Sequence, residues 1–251
     1  MTDAQWDYSG KTVVITGGGS GIGAEMAVAF AEAGARVRIA GRNEARLTET
    51  AARHAGIEYR TADVTDPVAV VALFEGLDRV DIVIANAGAA QSAPVRKTTP
   101  EDWQQMLSVN LSGVFYTLQA GLQRLSEGGR LLAVASTAGL KGYPYVAPYC
   151  AAKHGVVGLV RALALETARE GITVNALCPG FTETPLLDDS VRNIMDKTGM
   201  SAEDARRQLV KHNPQGRLVQ PHEVVATALW AASPGASAIN GQALAIAGGE
   251  I

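Results

Sequence analysis

Thr12-Val-Val-Ile-Thr-Gly-Gly-Gly-Ser-Gly-Ile-Gly23 is a short β-branched run that stops on a cluster of glycines and passes directly into a helical pattern. Thr12 to Thr16 reads as a buried strand. From Ile22 to Ala33 the apolar residues Met26, Ala27, Phe30 and Ala31 fall along one face of a helix. Gly17, Gly21 and Gly23 have the spacing G-x-x-x-G-x-G. Glycines so placed let the backbone turn sharply and come close to a pyrophosphate, which the positive amino end of the following helix attracts. A glycine-rich loop alone is equally a structural turn, and it is the position between strand and helix that points to a dinucleotide.

Outward from that stretch the same alternation repeats. Strands are expected at Val37 to Ala40, Ile57 to Thr61, Val80 to Ala85, Arg130 to Ala135, Ile172 to Leu177 and Ala243 to Ala247. Helices are expected at Glu44 to His54, Pro67 to Phe74, in a long stretch from Pro100, at Tyr149 to Arg169 and at Glu223 to Ala232. Nearly uninterrupted apolar strands between helices imply a parallel sheet covered on both faces. The fold class is therefore α/β, a single-domain doubly wound (Rossmann-type) parallel sheet of about seven strands over residues 1–251. Ligands in such sheets bind beyond the carboxyl ends of the strands. Phe181 to Asn213 interrupts the rhythm with more than thirty charge-rich residues; residues 181–213 are expected to hold one or two short helices that cap the substrate.

Composition limits the function. The chain has 251 residues, 47% hydrophobic, 19% charged and 5% aromatic, so its core is large and aliphatic. A net charge of -3 offers no basic surface for nucleic acid or anionic lipid. No apolar run approaches the ~18 residues of a membrane helix and the start is not that of a signal peptide, so a cytoplasmic protein is expected. Cys150 and Cys178 stand far apart without a ligand cluster around them; they read as reduced structural thiols, and no metal site is expected.

Tyr149-Cys-Ala-Ala-Lys153 places a phenol and an ammonium on one face of a helix. Ser136 follows the strand ending at Ala135, where its hydroxyl could face that phenol across one crevice. Asn110 adds an amide inside an apolar helix. Taken singly, these residues read as packing, solvated or capping groups. His154 points away from Lys153 on the helix and reads as a packing or surface residue.

In this order, Thr16 to Gly23, Asp63-Val64, Asn86-Ala87-Gly88, Asn110, Ser136, Tyr149 with Lys153, and Pro179-Gly180 before Thr184, the motifs resemble those of the short-chain dehydrogenase/reductase family over nearly the whole chain. The resemblance implies a catalytic set of Asn110, Ser136, Tyr149 and Lys153. It further implies a nicotinamide cofactor held by Gly17, Ser20, Gly21, Ile22 and Gly23, with Asp63 and Val64 flanking adenine, Asn86, Ala87 and Gly88 bracing the sheet and cofactor, and Pro179, Gly180 and Thr184 at the nicotinamide. In that scheme Tyr149 is the general acid/base, Ser136 orients the substrate oxygen, Lys153 holds the ribose hydroxyls and Asn110 fixes a water. A free phenol of pKa about 10 is ionised about one part in a thousand at pH 7, and bringing it to neutrality takes about 4 kcal/mol. The Lys153 ammonium and an oxidised nicotinamide are expected to supply that together.

At the end of the second strand, Gly41 stands where an acid would bond the ribose 2′-hydroxyl of NAD, and Arg42 follows with a guanidinium suited to a 2′-phosphate. NADP(H) is thereby favoured, with NAD(H) as the alternative. Leu140, Tyr143, Tyr145, Phe181, Leu186 and Leu187 suggest an apolar pocket for a ketone or secondary alcohol. The ending Arg217-Leu-Val-Gln-Pro-His-Glu-Val resembles bacterial ketoacyl and polyketide ketoreductases, which implies a 3-oxoacyl thioester, acyl-CoA or carrier-bound, as a substrate class. Arg124, Arg130 and Arg169 could meet an acidic carrier, against Glu127 and Glu170. Arg192, Lys197, Arg206, Arg207 and Lys211 read either as contacts for a thioester's phosphate tail or as a solvated helix face. The family likeness also implies a homotetramer. An NAD-dependent secondary alcohol dehydrogenase and a non-catalytic nucleotide sensor on the same fold remain alternatives.

Overall fold

The computed structural model describes residues 6–251. Seven strands form one sheet: β1 (Thr12–Thr16), β2 (Arg36–Gly41), β3 (Ile57–Thr61), β4 (Val80–Ala85), β5 (Leu125–Val134), β6 (Thr173–Pro179) and β7 (Ala243–Ile246). All pairs are parallel, in the order β3-β2-β1-β4-β5-β6-β7. Because successive side chains of a strand point to opposite faces, Val13 and Ile15 enter one core and Val14 the other. Helices α1 (Gly21–Glu32) and α9 (Pro221–Ala232) cover the first face through Met26, Phe30, Val224 and Ala228. On the second lie α3 (Pro67–Ala72), α5 (Gly113–Leu122) and α6 (Ala147–Thr167), through Val70, Leu118, Val156 and Val160. Each such fully buried aliphatic contributes about 1.5–3 kcal/mol of transfer free energy. Helix α2 (Glu44–Ala51) begins at Asn43, whose side chain accepts from the Arg46 amide.

The winding reverses at β1, which pairs with β2 on one side and β4 on the other, so the loops after β1 and β4 diverge and open a crevice. Two expectations need correction. The long helix beginning at Pro100 is not α throughout: α4 (Pro100–Leu107) passes into a π turn over Ser108–Ser112 before α5. The cause is Asn110, whose side-chain amide donates to the Met106 carbonyl at 3.1 Å, the acceptor that its own backbone N–H would use in an α-helix; Gly113 N–H then bonds Ser108. Strand β5 begins at Leu125 rather than Arg130, because Leu125 pairs with Val80 ahead of a register irregularity.

Phe181 to Asn213 carries α7 (Pro185–Thr198) and α8 (Ala202–Val210), which share a small core of Leu187, Val191, Ala205 and Leu209. Among the described residues, no helix is long and apolar enough to cross a membrane.

Candidate active site

A cleft of about 800 Å³ opens at the carboxyl ends of β1, β4, β5 and β6, with α7 along one side. The glycine turn forms its floor. Gly17 has φ +70°, and a Cβ there would stand 2.8 Å from Ala87 Cα. Asn86 Nδ2 donates to Thr16 O at 3.0 Å and Gly17 O at 3.1 Å, while the Asn86 and Ala87 amides donate to Thr16 Oγ1. One amide thus ties the loop after β4 to the turn after β1. Ser20 is the N-cap of α1 and its side chain makes no capping bond, so the first-turn amides face the cleft without competition from that hydroxyl. Thr184, the N-cap of α7, comes against Gly21: a Cβ there would lie 3.3 Å from its side chain.

Ser136, Tyr149 and Lys153 meet on the same cleft wall, as their order in the sequence predicts. Ser136 starts a single 3-10 turn, Thr137–Gly139, and its hydroxyl accepts from the Ala138 amide at 3.1 Å, on the cleft wall that Tyr149 also lines. Gly139 lets this turn seat on α6, since a Cβ there would approach Lys153 O to 2.6 Å. Lys153 is 3% exposed and its Nζ donates to Val134 O at 2.8 Å. Burial lowers its pKa to about 8. Asn110 is fully buried; its Oδ1 accepts from the Ala89 amide at 3.2 Å and its Nδ2 donates to Ala89 O at 2.9 Å. Gly88 lies between Asn110 and Lys153: a Cβ there would stand 3.0 Å from Asn110 Oδ1 and 3.8 Å from Lys153 Nζ.

The lowered Tyr149 pKa that the sequence leads one to expect combines Lys153 with an oxidised nicotinamide; the protein's own groups alone act the other way. Burial pushes the Tyr149 phenol up to about 12, and the nearby Ser136 hydroxyl only partly opposes this. Lys153 Nζ sits 5.6 Å from the phenol ring centroid and spends a hydrogen bond on Val134 O, so its ammonium does not offset the desolvation. The protein's own groups therefore keep Tyr149 protonated at neutral pH, the form that donates a proton.

Several expected positions lie apart from this cleft. Gly23 is internal to the turn, Val64 is buried against Gly113, and Arg42 and Asp63 stand at the ends of β2 and β3, with Arg42 Nη1 3.9 Å from Asp63 Oδ2. Asp63 is held below the usual carboxylate range by hydrogen bonds from Thr65, with help from Arg42. Tyr143, Tyr145, Phe181, Leu186 and Leu187 line the cleft as expected, with Pro179 and Gly180, but Leu140 packs into the sheet core instead. Tyr145 has φ +68°, the left-handed region, and its carbonyl accepts from the Ala93 amide at 2.8 Å. Nothing in the sequence marks Ser92 or Asn193; Lys197, read from the sequence as a cap cation, joins Asn193 in donating to Ser92, and the two close one side of the cleft. Sequence reasoning also missed Thr137, His212 and Glu250, which gather around Tyr143; no spacing in the sequence marks them.

Residues 17–250 match the family described as enoyl-(acyl carrier protein) reductase. A Streptomyces coelicolor protein carrying the provisional name ketoacyl reductase is 39% identical over 95% of this chain and 96% of its own length. D-beta-hydroxybutyrate dehydrogenase of Cupriavidus necator is 34% identical, over 97% of this chain and 98% of that protein. Among solved structures, an actinorhodin polyketide ketoreductase variant with NADPH superimposes with a TM-score of 0.89 at 36% identity, covering 96% of this chain and 97% of that one. Levodione reductase does so with 0.91 at 32% identity, covering 97% and 98%. A parallel sheet with a nucleotide-type glycine turn and a phenol–ammonium pair defines a nicotinamide-dependent oxidoreductase of CH-OH and C=O groups. The chain belongs to the short-chain dehydrogenase/reductase family.

Proposed function

We propose that this protein is an NADPH-dependent carbonyl reductase of apolar ketones, with 3-oxoacyl thioesters among its substrate class. The observation that carries the reading is the convergence of Ser136, Tyr149 and Lys153 with the Gly17–Gly23 turn in one cleft of about 800 Å³. When bound, the reduced nicotinamide supplies the hydride. Gly17 and Gly21 leave room for its pyrophosphate against α1, Gly23 lets the turn close on Gly17 O and Asn86 behind it, Ser20 and Ile22 border that path, and Asp63 with Val64 flanks the adenine. Asn86, Ala87 and Gly88 brace the middle, while Pro179, Gly180 and Thr184 border the nicotinamide.

Tyr149, protonated at neutral pH, donates its proton to the substrate oxygen as negative charge develops there. Ser136 orients that oxygen. Lys153 holds the ribose hydroxyls with its ammonium, and Asn110 fixes a water on the path by which Tyr149 regains a proton. NADPH affinity is therefore expected to be highest below pH about 8 and to weaken about tenfold as the pH rises through that value and Lys153 loses its charge, measured by fluorescence titration.

Arg42 selects the 2′-phosphate. Its guanidinium is largely exposed beside Asp63, a weak surface pairing that leaves its donors free for a phosphate. Arg42→Ala is expected to weaken NADPH binding 10- to 100-fold and NADH binding less than threefold; equal losses would favour an NAD-dependent alcohol dehydrogenase.

The direct test follows NADPH consumption with β-ketoacyl thioesters, enoyl thioesters, diketones and simple ketones. Turnover of the ketones supports the reading. Reduction of the enoyl thioesters alone, or cofactor binding with no turnover, overturns it. Of the cap cations, Arg192, Arg206 and Arg207 are paired with Asp189, with Glu183 and Asp188, and with Glu203 and Asp204, while Lys211 bonds Gln208. Arg130 is buried against Gly128, Gly129 and Gly171 carbonyls. This favours a free ketone over a carrier-bound substrate. A homotetramer through α5 and α6 accords with Phe115 and the 83% exposed Leu165 on their outer faces, and the buried free thiols Cys150 and Cys178 accord with a cytoplasmic location.

A further inference from the structure

Glu250 is a buried carboxylate that the chemistry above leaves unused: its side chain is 2% exposed although it follows the last strand. Lys141 Nζ lies 3.0 Å from its Oε1, His212 Nδ1 lies 3.8 Å away, and the Tyr143 hydroxyl is hydrogen-bonded to the same oxygen. That hydroxyl is also 2.7 Å from Thr137 Oγ1, on the residue after Ser136. With one proton to give, the phenol donates to the carboxylate and accepts from Thr137. Burying a carboxylate is costly unless neighbours compensate, and here two of the compensating groups, Tyr143 and His212, line the cleft. Tyr143, Phe181 and His212 line the cleft and form a ring cluster with centroids 5.8, 5.4 and 5.5 Å apart. Tyr143 sits in the irregular segment between the Ser136 turn and α6, where no helix or strand fixes its ring.

We propose that Glu250 is a positioning residue that, through the Tyr143 hydroxyl, holds this aromatic wall at a fixed distance from Ser136 and so favours ketones carrying a flat ring beside the carbonyl. A flat ring gains from a rigid aromatic partner, whereas a short ketone does not reach the wall. The inference rests on the carbonyl reductase reading.

The test measures kcat and KM with an aryl ketone and a short aliphatic ketone for the wild type, Glu250→Ala, Glu250→Gln, Tyr143→Phe and the Glu250→Ala/Tyr143→Phe double variant. Glu250→Ala and Tyr143→Phe are each expected to raise KM for the aryl ketone about tenfold. The loss should fall on KM more than on kcat, and the aryl-to-short ratio of kcat/KM should drop about tenfold in both. The double variant should be no worse than either single one, and Glu250→Gln, which still accepts the phenol proton, should recover most of the loss. Equal effects on both ketones, or additive losses in the double variant, overturn the proposal. If Glu250→Ala does not fold, Tyr143→Phe against Glu250→Gln decides, because the first removes only the hydroxyl. If the wild type reduces neither ketone, the carbonyl reductase reading has failed; crystals of Glu250→Gln and Tyr143→Phe then decide the positioning role. A Tyr143→Phe ring displaced from its place beside Thr137, with the Glu250→Gln ring unmoved, supports it; a Tyr143→Phe ring left in place overturns it.

Discussion

Tyr149→Phe is expected to lower kcat for ketone reduction by 10³–10⁴-fold, about 4–5.5 kcal/mol of barrier, while NADPH binds within about tenfold of the wild type. The change removes one oxygen from a half-buried side chain and leaves the ring to pack, so the fold should survive. What is lost is the proton donor. Ser136 keeps its bond from the Ala138 amide and Lys153 keeps Val134 O, so both neighbours stay in place around the missing hydroxyl. One neutral hydrogen bond contributes about 0.5–1.5 kcal/mol, which bounds the cofactor effect at roughly tenfold. Stopped-flow hydride transfer, with fluorescence titration of NADPH, separates the two quantities. A kcat within tenfold of the wild type would mean that the proton comes from elsewhere, and Tyr149 would revert to a packing residue.

What could be read from the sequence divides along the distance over which each signal acts. Strand β1 and the start of α1 follow from neighbours within a few residues, and Ile57–Thr61 and Val80–Ala85 fall where the β-branched runs end. Tyr149 and Lys153 were legible because a helix places i and i+4 together, and Ser136 because strand tips in this fold share one edge. The π turn at Ser108–Ser112 was not, since it depends on which carbonyl the Asn110 side chain captures in three dimensions. Leu140 looked like a pocket residue from its neighbours, yet the 3-10 turn before it rotates its side chain into the core. Glu250 reaches Tyr143 across 107 residues, and a lone acid after two glycines carries no local pattern. The share of Lys153 in the Tyr149 pKa was illegible for a related reason: a Tyr–Lys spacing says that two groups share a face, but the direction of the ammonium is set by Val134 O on β5.

Gly23→Ala is expected to lower Tm by about 4–16 °C and to weaken NADPH binding at least 100-fold. A Cβ at Gly23 would lie 2.3 Å from Gly17 O and 2.4 Å from Asn86 Nδ2, far inside contact distance. Neither neighbour can yield cheaply. Gly17 O is backbone in a turn with φ +70°, and Asn86 Nδ2 is held by two acceptors, Thr16 O and Gly17 O. Forcing a methyl into a packed site costs about 1–3 kcal/mol, and loss of the Asn86 bonds adds about 1 kcal/mol more. For a chain of this size each kcal/mol moves Tm by about 2–4 °C, which gives the range above. The binding loss is larger than the stability loss alone would suggest, because relief of the clash must push Gly17 or the Asn86 loop outward, and both border the path proposed for the pyrophosphate. Gly142→Ala provides the contrast: a Cβ there meets nothing within 4 Å, so Tm and affinity should be unchanged. Calorimetry and fluorescence titration read the pair. Were Gly23→Ala to bind NADPH as the wild type does, the glycine turn would be a packing device for the sheet and the dinucleotide would have to lie elsewhere.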